Sequence, residues 1–235
     1  MFTTKMQKNE FGQLIDNIVE NWSPRKIPVA KEINGKFCLL KPLYIDEHGM
    51  QLFKAFQQDN NGEIYTYLPF GPFADYDGFI KWLYDASISK ICFTIIDLIT
   101  NTPQGIASFH DIDVNHGIIE VGSIIYSKSL QRTVAATEAM YLLMHEVFDI
   151  YQYRRYQWRC NALNQPSRRA AERLGFKFEG IFRQHYVFKE HNRDTAWFSI
   201  IDSEWPNIKH RFEKWLSYDN FYKDGNQILH LKDIT

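Results

Sequence analysis

The chain has 235 residues, of which 45% are hydrophobic and 16% aromatic, and its formal net charge at pH 7 is −1. This length and composition allow one large domain with a substantial core, and they exclude an intrinsically disordered protein. The balanced charge and the lack of a long uncharged apolar segment give no indication of a nucleic-acid partner, a polybasic membrane anchor or a transmembrane helix.

Three cysteines, Cys38, Cys92 and Cys160, are spread over the chain without the spacing of a metal site. Each lies in an apolar, strand-like run, where a buried free thiol is the usual outcome. We therefore expect a reducing, cytoplasmic environment, with neither a disulfide framework nor a bound metal.

The first half of the chain predicts an extension followed by strands and helices. In residues 1–35, a weakly amphipathic helix is followed by a loop that proline and glycine punctuate. The run KFCLLKPL predicts a strand from Lys36, and apolar periodicity then predicts a helix over Asp46–Gln58 with Asp46 as its N-cap. The aromatic stretch YTYLPFGPF is typical of a loop, and a second helix is predicted over Asp75–Ala86.

The second half begins with three runs rich in β-branched and aromatic residues, SKICFTIID, QGIASFHDIDVN and GIIEVGSIIYS, which predict a meander of antiparallel strands. Helical spacing then covers Thr133–Ile150, YQWRCNAL predicts a strand, and Pro166–Leu174 predicts a short helix. Two further strands and an amphipathic helix reach Leu216, and residues 217–235 form a tail. A strand–helix–strand unit in an otherwise antiparallel sheet predicts a mixed α/β domain over residues 36–216.

The start of the long helix is the first candidate site. A helix N-terminus leaves backbone N–H groups unpaired and carries partial positive charge, so it binds phosphate where small side chains allow a close approach. Thr133, Ala135 and Ala136 are small, and Arg132 adds a charge. A capped helix start without a ligand explains the same residues.

The stretch LNQPSRRAAERLGF is the second candidate site. Pro166 fits the first helical turn and Gly175 fits the left-handed position after the helix. Asn164 and Ser167 either cap the helix or face a ligand. If the strands before the two helices are adjacent, both N-termini open at one sheet edge, where α/β folds bind ligands.

The run LQRTVAATEAMYLLM…YRRYQWRCNALNQPSRRAAERLGFKFEGIFRQH…NRDTAWFSI…EW resembles the GNAT superfamily of acetyl-CoA-dependent N-acetyltransferases, and it is most similar to the RimJ/RimL-like branch. NQPSRRAAERLGF corresponds to the family's N-x-x-S…LGF segment. QRTVAA occupies the place of its [Q/R]-x-x-G-x-[G/A] pyrophosphate loop, with Val134 where the family has glycine. The resemblance implies a central, largely antiparallel sheet with a splayed strand pair and flanking helices.

The resemblance also implies an acetyl-CoA site between the two splayed strands. The pantetheine arm would pair with backbone of the strand before the long helix and with Asn164, while the pyrophosphate would bind the loop amides. Arg132 and Arg168 would be outer phosphate partners or else solvated surface residues. The implied cofactor-binding residues are Ser123, Ile124, Ile125, Tyr126, Gln131, Arg132, Thr133, Val134, Ala135, Ala136, Asn164 and Arg168.

The implied reaction is direct attack of a primary amine on acetyl-CoA in a ternary complex, without a metal. Glu120 would be the base, unless it is simply a polar strand residue, and Ser167 would donate a proton to the leaving thiolate. The acceptor would be a protein N-terminus, a polyamine, an amino acid or an amine-bearing antibiotic. The residues expected to line its pocket, unless the aromatics only pack at the core edge, are Tyr65, Tyr67, Phe70, Arg183 and His185.

A non-catalytic acyl-CoA-binding or interaction module with the same fold is the alternative, and the valine in the pyrophosphate loop favours it. Many members of the superfamily form dimers, but the sequence identifies no homodimer interface.

Overall fold

The computed structural model describes residues 7–58, 61–223 and 225–234. Its strands are β1 (Gln7–Lys8), β2 (Leu14–Ile15), β3 (Ile33–Asn34), β4 (Cys38–Pro42), β5 (Ile91–Asp97), β6 (Thr102–Asp113), β7 (Ile118–Tyr126), β8 (Arg155–Asn161), β9 (Lys177–Phe188) and β10 (His191–Ile201). Its helices are α1 (Ile45–Phe56), α2 (Tyr76–Ser89), α3 (Val134–His145), α4 (Gln165–Leu174) and α5 (Trp205–Trp215). A π-helical turn over Glu146–Ile150 prolongs α3.

Eight strands form one sheet in the order β3-β4-β5-β6-β7-β8-β10-β9. The β5–β7 meander is antiparallel, as are the outer pairs, and β7 and β8 are parallel because α3 connects them as a crossover. This arrangement confirms the predicted mixed α/β fold with a largely antiparallel sheet.

The two faces of the sheet carry different helices. Ile106 packs in a cluster with α1 and α2, whereas its neighbour Ala107 packs in a larger cluster with α3, α4 and α5. Because successive strand residues point to opposite faces, α1 and α2 cover one face and the other three helices cover the opposite face.

The parallel pair is splayed. The β7–β8 ladder runs from Ile118 opposite Arg155 to Val121 opposite Trp158 and then stops. Beyond that point β7 pairs only with β6, and β8 pairs only with β10. The gap between the diverging strands opens next to the N-termini of α3 and α4, as predicted from the two helix starts.

The predicted N-terminal helix is wrong within the described residues, and its first six positions lie outside them. A small hairpin of β1 and β2 stands there instead. The Asn9 side chain accepts hydrogen bonds from the amides of Phe11 and Gln13, and Gly12 has a φ of 76°. These local bonds stabilise a turn where a helix would need its own backbone bonds.

Helix starts follow local capping signals in most cases. Asp75 caps α2 by accepting the amide of Gly78, as expected at the start of that helix. The predicted cap at Asp46 is wrong, because α1 begins at Ile45 and Tyr44 precedes it without a side-chain cap bond.

The C-terminal tail packs onto the domain. Leu231 and Ile234 are buried in the main core, and Arg211 of α5 donates to the Leu231 carbonyl. All three cysteines are buried and free. Within the described residues, no helix is both long and apolar enough to cross a membrane.

Glu138 of α3 anchors the first strands, and its loss is expected to destabilise the fold. Its carboxylate is 3% exposed and accepts the backbone amides of Lys36, Phe37 and Cys38 at 2.7–2.9 Å. Since buried hydrogen bonds to a charged group are the costly ones to lose, E138Q should lower the free energy of unfolding by about 2–3 kcal/mol. Urea denaturation measures this change. The exposed Glu172→Gln on α4 is the control, and equal midpoints for the two variants would contradict the anchoring role.

Candidate active site

A cavity of about 1190 Å³ fills the gap between the splayed strands. It extends from the N-termini of α3 and α4 past the divergence of β7 and β8 to the loop around Tyr67 and the β9–β10 hairpin. Such a volume is large for a small-molecule site, so the cleft can hold an extended ligand together with a second molecule.

The α3 end of the cleft offers backbone donors. Thr133 caps the helix by accepting the amide of Ala136, and the amides of Gln131 and Thr133 bond to carbonyls of the preceding turn. Among the described residues, the amides of Arg132, Val134 and Ala135 find no acceptor. Three free amides at a helix N-terminus suit a phosphate group, so this end fits a pyrophosphate.

The middle of the cleft offers a strand edge. From Gly122 to Tyr126, β7 has no partner on its β8 side, and Ser123 bulges out with a φ of 49°. The Tyr126 hydroxyl donates to the Ala136 carbonyl and so holds α3 onto this strand. A free strand edge can pair with the amide groups of an extended ligand.

The α4 end of the cleft brings Asn164 and Ser167 together with β8. Asn164 caps α4 by accepting the amide of Ser167. The Ser167 hydroxyl oxygen accepts the indole N–H of Trp158 at 3.0 Å, and it also lies beside the Cys160 thiol. Burial raises the pKa of Cys160, although the contact with Ser167 opposes that rise. A buried thiol of this kind stays protonated, which makes it a poor nucleophile.

Glu120 of β7 lines the cleft and is 3% exposed. Its carboxylate pairs with the Arg159 guanidinium, and Oε1 lies 3.6 Å from His110 Nε2. Burial raises the pKa of Glu120 to about 7, and Arg159 opposes that rise. A carboxyl group with this pKa can accept a proton near neutral pH.

A network of charged groups surrounds Glu120. Polar atoms of His110, Asp111 and Glu120 lie within 4.8 Å of one another, and Arg159 pairs with both carboxylates. Arg159 therefore supplies positive charge to both carboxylates. Burial lowers the pKa of His110 and favours its neutral ring. Gly122 leaves space for that ring, since a Cβ there would lie 2.2 Å from His110 Nε2.

Most of the residues predicted to form a site line this one cleft. The predicted residues whose side chains or backbone line it are Glu120, Ser123, Ile124, Ile125, Tyr126, Gln131, Arg132, Thr133, Val134, Ala136, Asn164, Ser167, Tyr67 and Phe70.

Two residues predicted to bind the cofactor have side chains that do not line the cleft. The Ala135 side chain packs in the core, because its helical position faces the sheet. Arg168 turns back on its own loop, where it donates to the Ala162 carbonyl and lies over the Phe178 ring. Arg169 and Arg173 of the same helix line the cleft instead.

Three residues predicted to line the acceptor pocket are also outside the cleft. Tyr65 is buried against Phe73, and Arg183 is exposed on β9. His185 packs against Trp197. Since side chains alternate along a strand, β9 directs other residues into the cleft, and these are Tyr186 and Phe188.

Several lining residues were missed because no local pattern marks them. They come from segments distant in sequence: Lys90, His110, Arg159, Arg169, Arg173, Tyr186, Phe188, Arg193, and Gln227, His230 and Lys232 of the tail. Strand alternation could have indicated Arg159, since it lies next to Trp158 opposite the end of the splayed ladder.

The geometry agrees with comparisons to known proteins. A family model described as an acetyltransferase (GNAT) domain matches residues 39–177. A GCN5-related N-acetyltransferase from Brucella melitensis is 44% identical, with a TM-score of 0.89 and coverage of 92% of this chain and 98% of that one. A probable acetyltransferase of the GNAT family from Chromobacterium violaceum is 36% identical, with a TM-score of 0.76 and coverage of 82% and 96%.

A more distant structure shows the same fold only. The microcin C7 self-immunity acetyltransferase MccE, in complex with acetyl-CoA and AMP, is 17% identical, with a TM-score of 0.63 and coverage of 71% of this chain and 93% of that one. No curated protein matches the sequence. The matched family model spans more than half of the chain, and the Brucella structure matches nearly all of it. The chain therefore belongs to the GNAT family of acetyltransferases, which transfer an acetyl group from acetyl-CoA.

Proposed function

We propose that the protein is an N-acetyltransferase that acetylates a primary amine by direct attack in a ternary complex, and that it lies in the RimJ/RimL-like branch. The observation that carries this proposal is the cleft itself, in which three free amides, an unpaired strand edge and a buried carboxyl group with a pKa of about 7 follow one another. The buried free cysteines suit a cytoplasmic enzyme.

The hydrogen-bonding groups of the cleft match the pyrophosphate and pantetheine parts of acetyl-CoA. The free amides of Arg132, Val134 and Ala135 would hold the pyrophosphate, and the β7 edge and Asn164 would hold the pantetheine arm. Lys128, Arg132, Arg169, Arg173 and Lys232 add positive charge along the same wall. Bound there, acetyl-CoA supplies an activated acetyl group.

The chain's own groups would move the protons. Glu120 accepts a proton from the amine, directly or through a water molecule, because burial keeps its pKa near that of a base working at neutral pH. Ser167 donates a proton to the departing sulfur: its oxygen accepts the Trp158 indole N–H, and its hydrogen would turn from the Cys160 thiol into the cleft. Tyr67 and Phe70 would contact the acceptor.

Loss of the Ser167 hydroxyl should slow the reaction more than it weakens binding. S167A is expected to lower kcat by about tenfold to a hundredfold, because a positioned proton donor is lost and water replaces it poorly. The KM for acetyl-CoA should change little, since Asn164 and the strand edge remain. Steady-state thiol release measures both parameters. Ser203→Ala, in an exposed turn, is the control, and an unchanged kcat in S167A would remove Ser167 from the proposed chemistry.

The test of the proposed function has two arms. In the first, acetyl-CoA and free CoA should each raise the melting temperature in a saturable manner, because a ligand that binds the folded state stabilises it. In the second, a panel of amines is screened for thiol release and for the acetylated product by mass spectrometry. Saturable CoA binding without any product would favour the non-catalytic acyl-CoA-binding module, and absence of CoA binding would overturn both readings.

A further inference from the structure

Arg193 of β10 is a guanidinium in the cleft without a carboxylate partner. It lines the cavity, and no ion pair within the described chain includes it. Its Nε atom is buried and makes no hydrogen bond. A guanidinium N–H that lines a cleft without a protein acceptor is available to an anionic group of a ligand.

The surroundings hold Arg193 in position. Its guanidinium lies 4.7 Å from the centre of the Phe188 ring and 5.6 Å from that of Tyr186. The carboxylate of the neighbouring Asp194 does not pair with it, because it accepts the Gln184 amide and the Asn192 side chain. The aromatic contacts orient the guanidinium without neutralising it.

Lys90 is a second cation of the same kind. Its Nζ lies 2.5 Å from the Ser123 hydroxyl, and no carboxylate among the described residues forms an ion pair with it. Burial lowers the pKa of Lys90, although Asp111 and Glu120 oppose this. Arg159, in contrast, already pairs with those two carboxylates.

From these contacts we infer that the acceptor is a small primary amine that carries a carboxylate or phosphate group, and that Arg193 binds this anion with help from Lys90. This inference rests on the proposed N-acetyltransferase function. Polyamines and aminoglycoside-like amines would bring further positive charge beside two unpaired cations. A protein N-terminus lacks a free α-carboxylate, so it is disfavoured relative to a free amino acid. The opposing charges on the cavity wall are the exposed Glu63 and the buried Glu120, and Arg159 already pairs with Glu120.

The experiment compares amines with and without the anionic group, with each rate corrected for the fraction of unprotonated amine. The pairs are L-phenylalanine with L-phenylalaninamide and O-phosphoethanolamine with ethanolamine, and spermidine is the polycation. For whichever of the two anionic amines is the better substrate, kcat/KM should exceed that of its neutral partner by about tenfold or more. Which pair shows the preference distinguishes a carboxylate from a phosphate. An equal or better rate with the neutral partners or spermidine would overturn the inference.

Variants then test the role of Arg193. R193Q should lower the acid-to-neutral ratio of kcat/KM by about tenfold, while R193K should restore part of it. This ratio is measured within each variant, so it does not depend on the folded fraction. Arg154→Gln is the control, because that exposed guanidinium lies over the Trp22 ring outside the cleft. An unchanged ratio in R193Q would overturn the assignment.

The anionic-acceptor inference and the proposed function can fail independently of each other. If no amine in the panel releases thiol, the same pairs are titrated by calorimetry into protein saturated with free CoA. Equal binding of acid and neutral partner, or binding of neither, overturns the anionic acceptor. The proposed function is judged separately, by CoA binding and by product formation with any amine.

Discussion

Replacing Glu120 by glutamine is expected to lower kcat by about 10²–10⁴-fold, the range that a positioned general base contributes. Glutamine has nearly the same shape but cannot take a proton at neutral pH. Glu120 is buried and lies away from the free amides of α3, so acetyl-CoA binding should persist. Steady-state kinetics and calorimetry with CoA separate the two effects. Glu172→Gln, exposed on α4, should retain the wild-type kcat.

The pH profile gives a second measure of the same residue. Burial raises the pKa of Glu120 to about 7, and the group works as a base only when it is unprotonated. The kcat/KM of the wild type should therefore fall as the pH drops below about 7, by up to tenfold per pH unit. Protonation of the acceptor amine also lowers kcat/KM as the pH falls, and this part of the pH profile remains in E120Q. Identical profiles in the wild type and E120Q would contradict the assignment of Glu120 as the base.

Replacing Val134 by aspartate is expected to weaken CoA binding by about tenfold to a hundredfold, because a carboxylate near a phosphate costs roughly 1–3 kcal/mol at intermediate dielectric. The fold should tolerate this change, since a negative charge in the first turn of a helix is favourable. V134N has the same size without the charge and is the matched control. Calorimetry with CoA gives the dissociation constants, and the penalty should shrink as salt is added.

Wild-type affinity for CoA in both V134D and V134N would place the pyrophosphate elsewhere. A loss of the same size in both variants would indicate that side-chain shape at this position matters more than charge. The valine stands where the family pattern has glycine, but its own amide is one of the three donors without an acceptor. The donors are therefore available in this chain despite the substitution.

Much of the fold could be predicted because its signals are local. The change from strand to helix periodicity at Thr133, and the caps at Asp75 and Asn164, depend on residues within one or two turns. The predicted N-terminal helix is wrong because Asn9 and Gly12 favour a turn, which apolar periodicity does not indicate. The parallel pair β7–β8 followed from the order of elements, as a crossover helix must join two parallel strands. Its splay was implied only by the family resemblance.

The residues of the site also separate into those that local sequence signals predict and those that they do not. Asn164 and Ser167 could be named from the sequence because they lie in a recognisable motif, whereas Glu120 was named because the family resemblance places the cleft beside its strand. Arg168 was predicted as an outer phosphate partner or a surface residue, and Arg169 lines the cleft in its place, since a one-residue step turns a helical side chain by about 100°. Nothing in a single sequence reports that rotation relative to a cleft.

The sequence by itself determined the order of strands and helices from β4 to α5 and the capped starts of α3 and α4, because these depend on neighbours along the chain. Only the tertiary structure decided which loop amides lack acceptors, and which cations lack partners. Lys90 and Arg193 are distant in sequence. The Asp194 carboxylate bonds to Gln184 and Asn192, so it does not compensate the charge of Arg193. Charge compensation is a property of three-dimensional contacts, so the features that favour an anionic acceptor arise only when the sheet has formed.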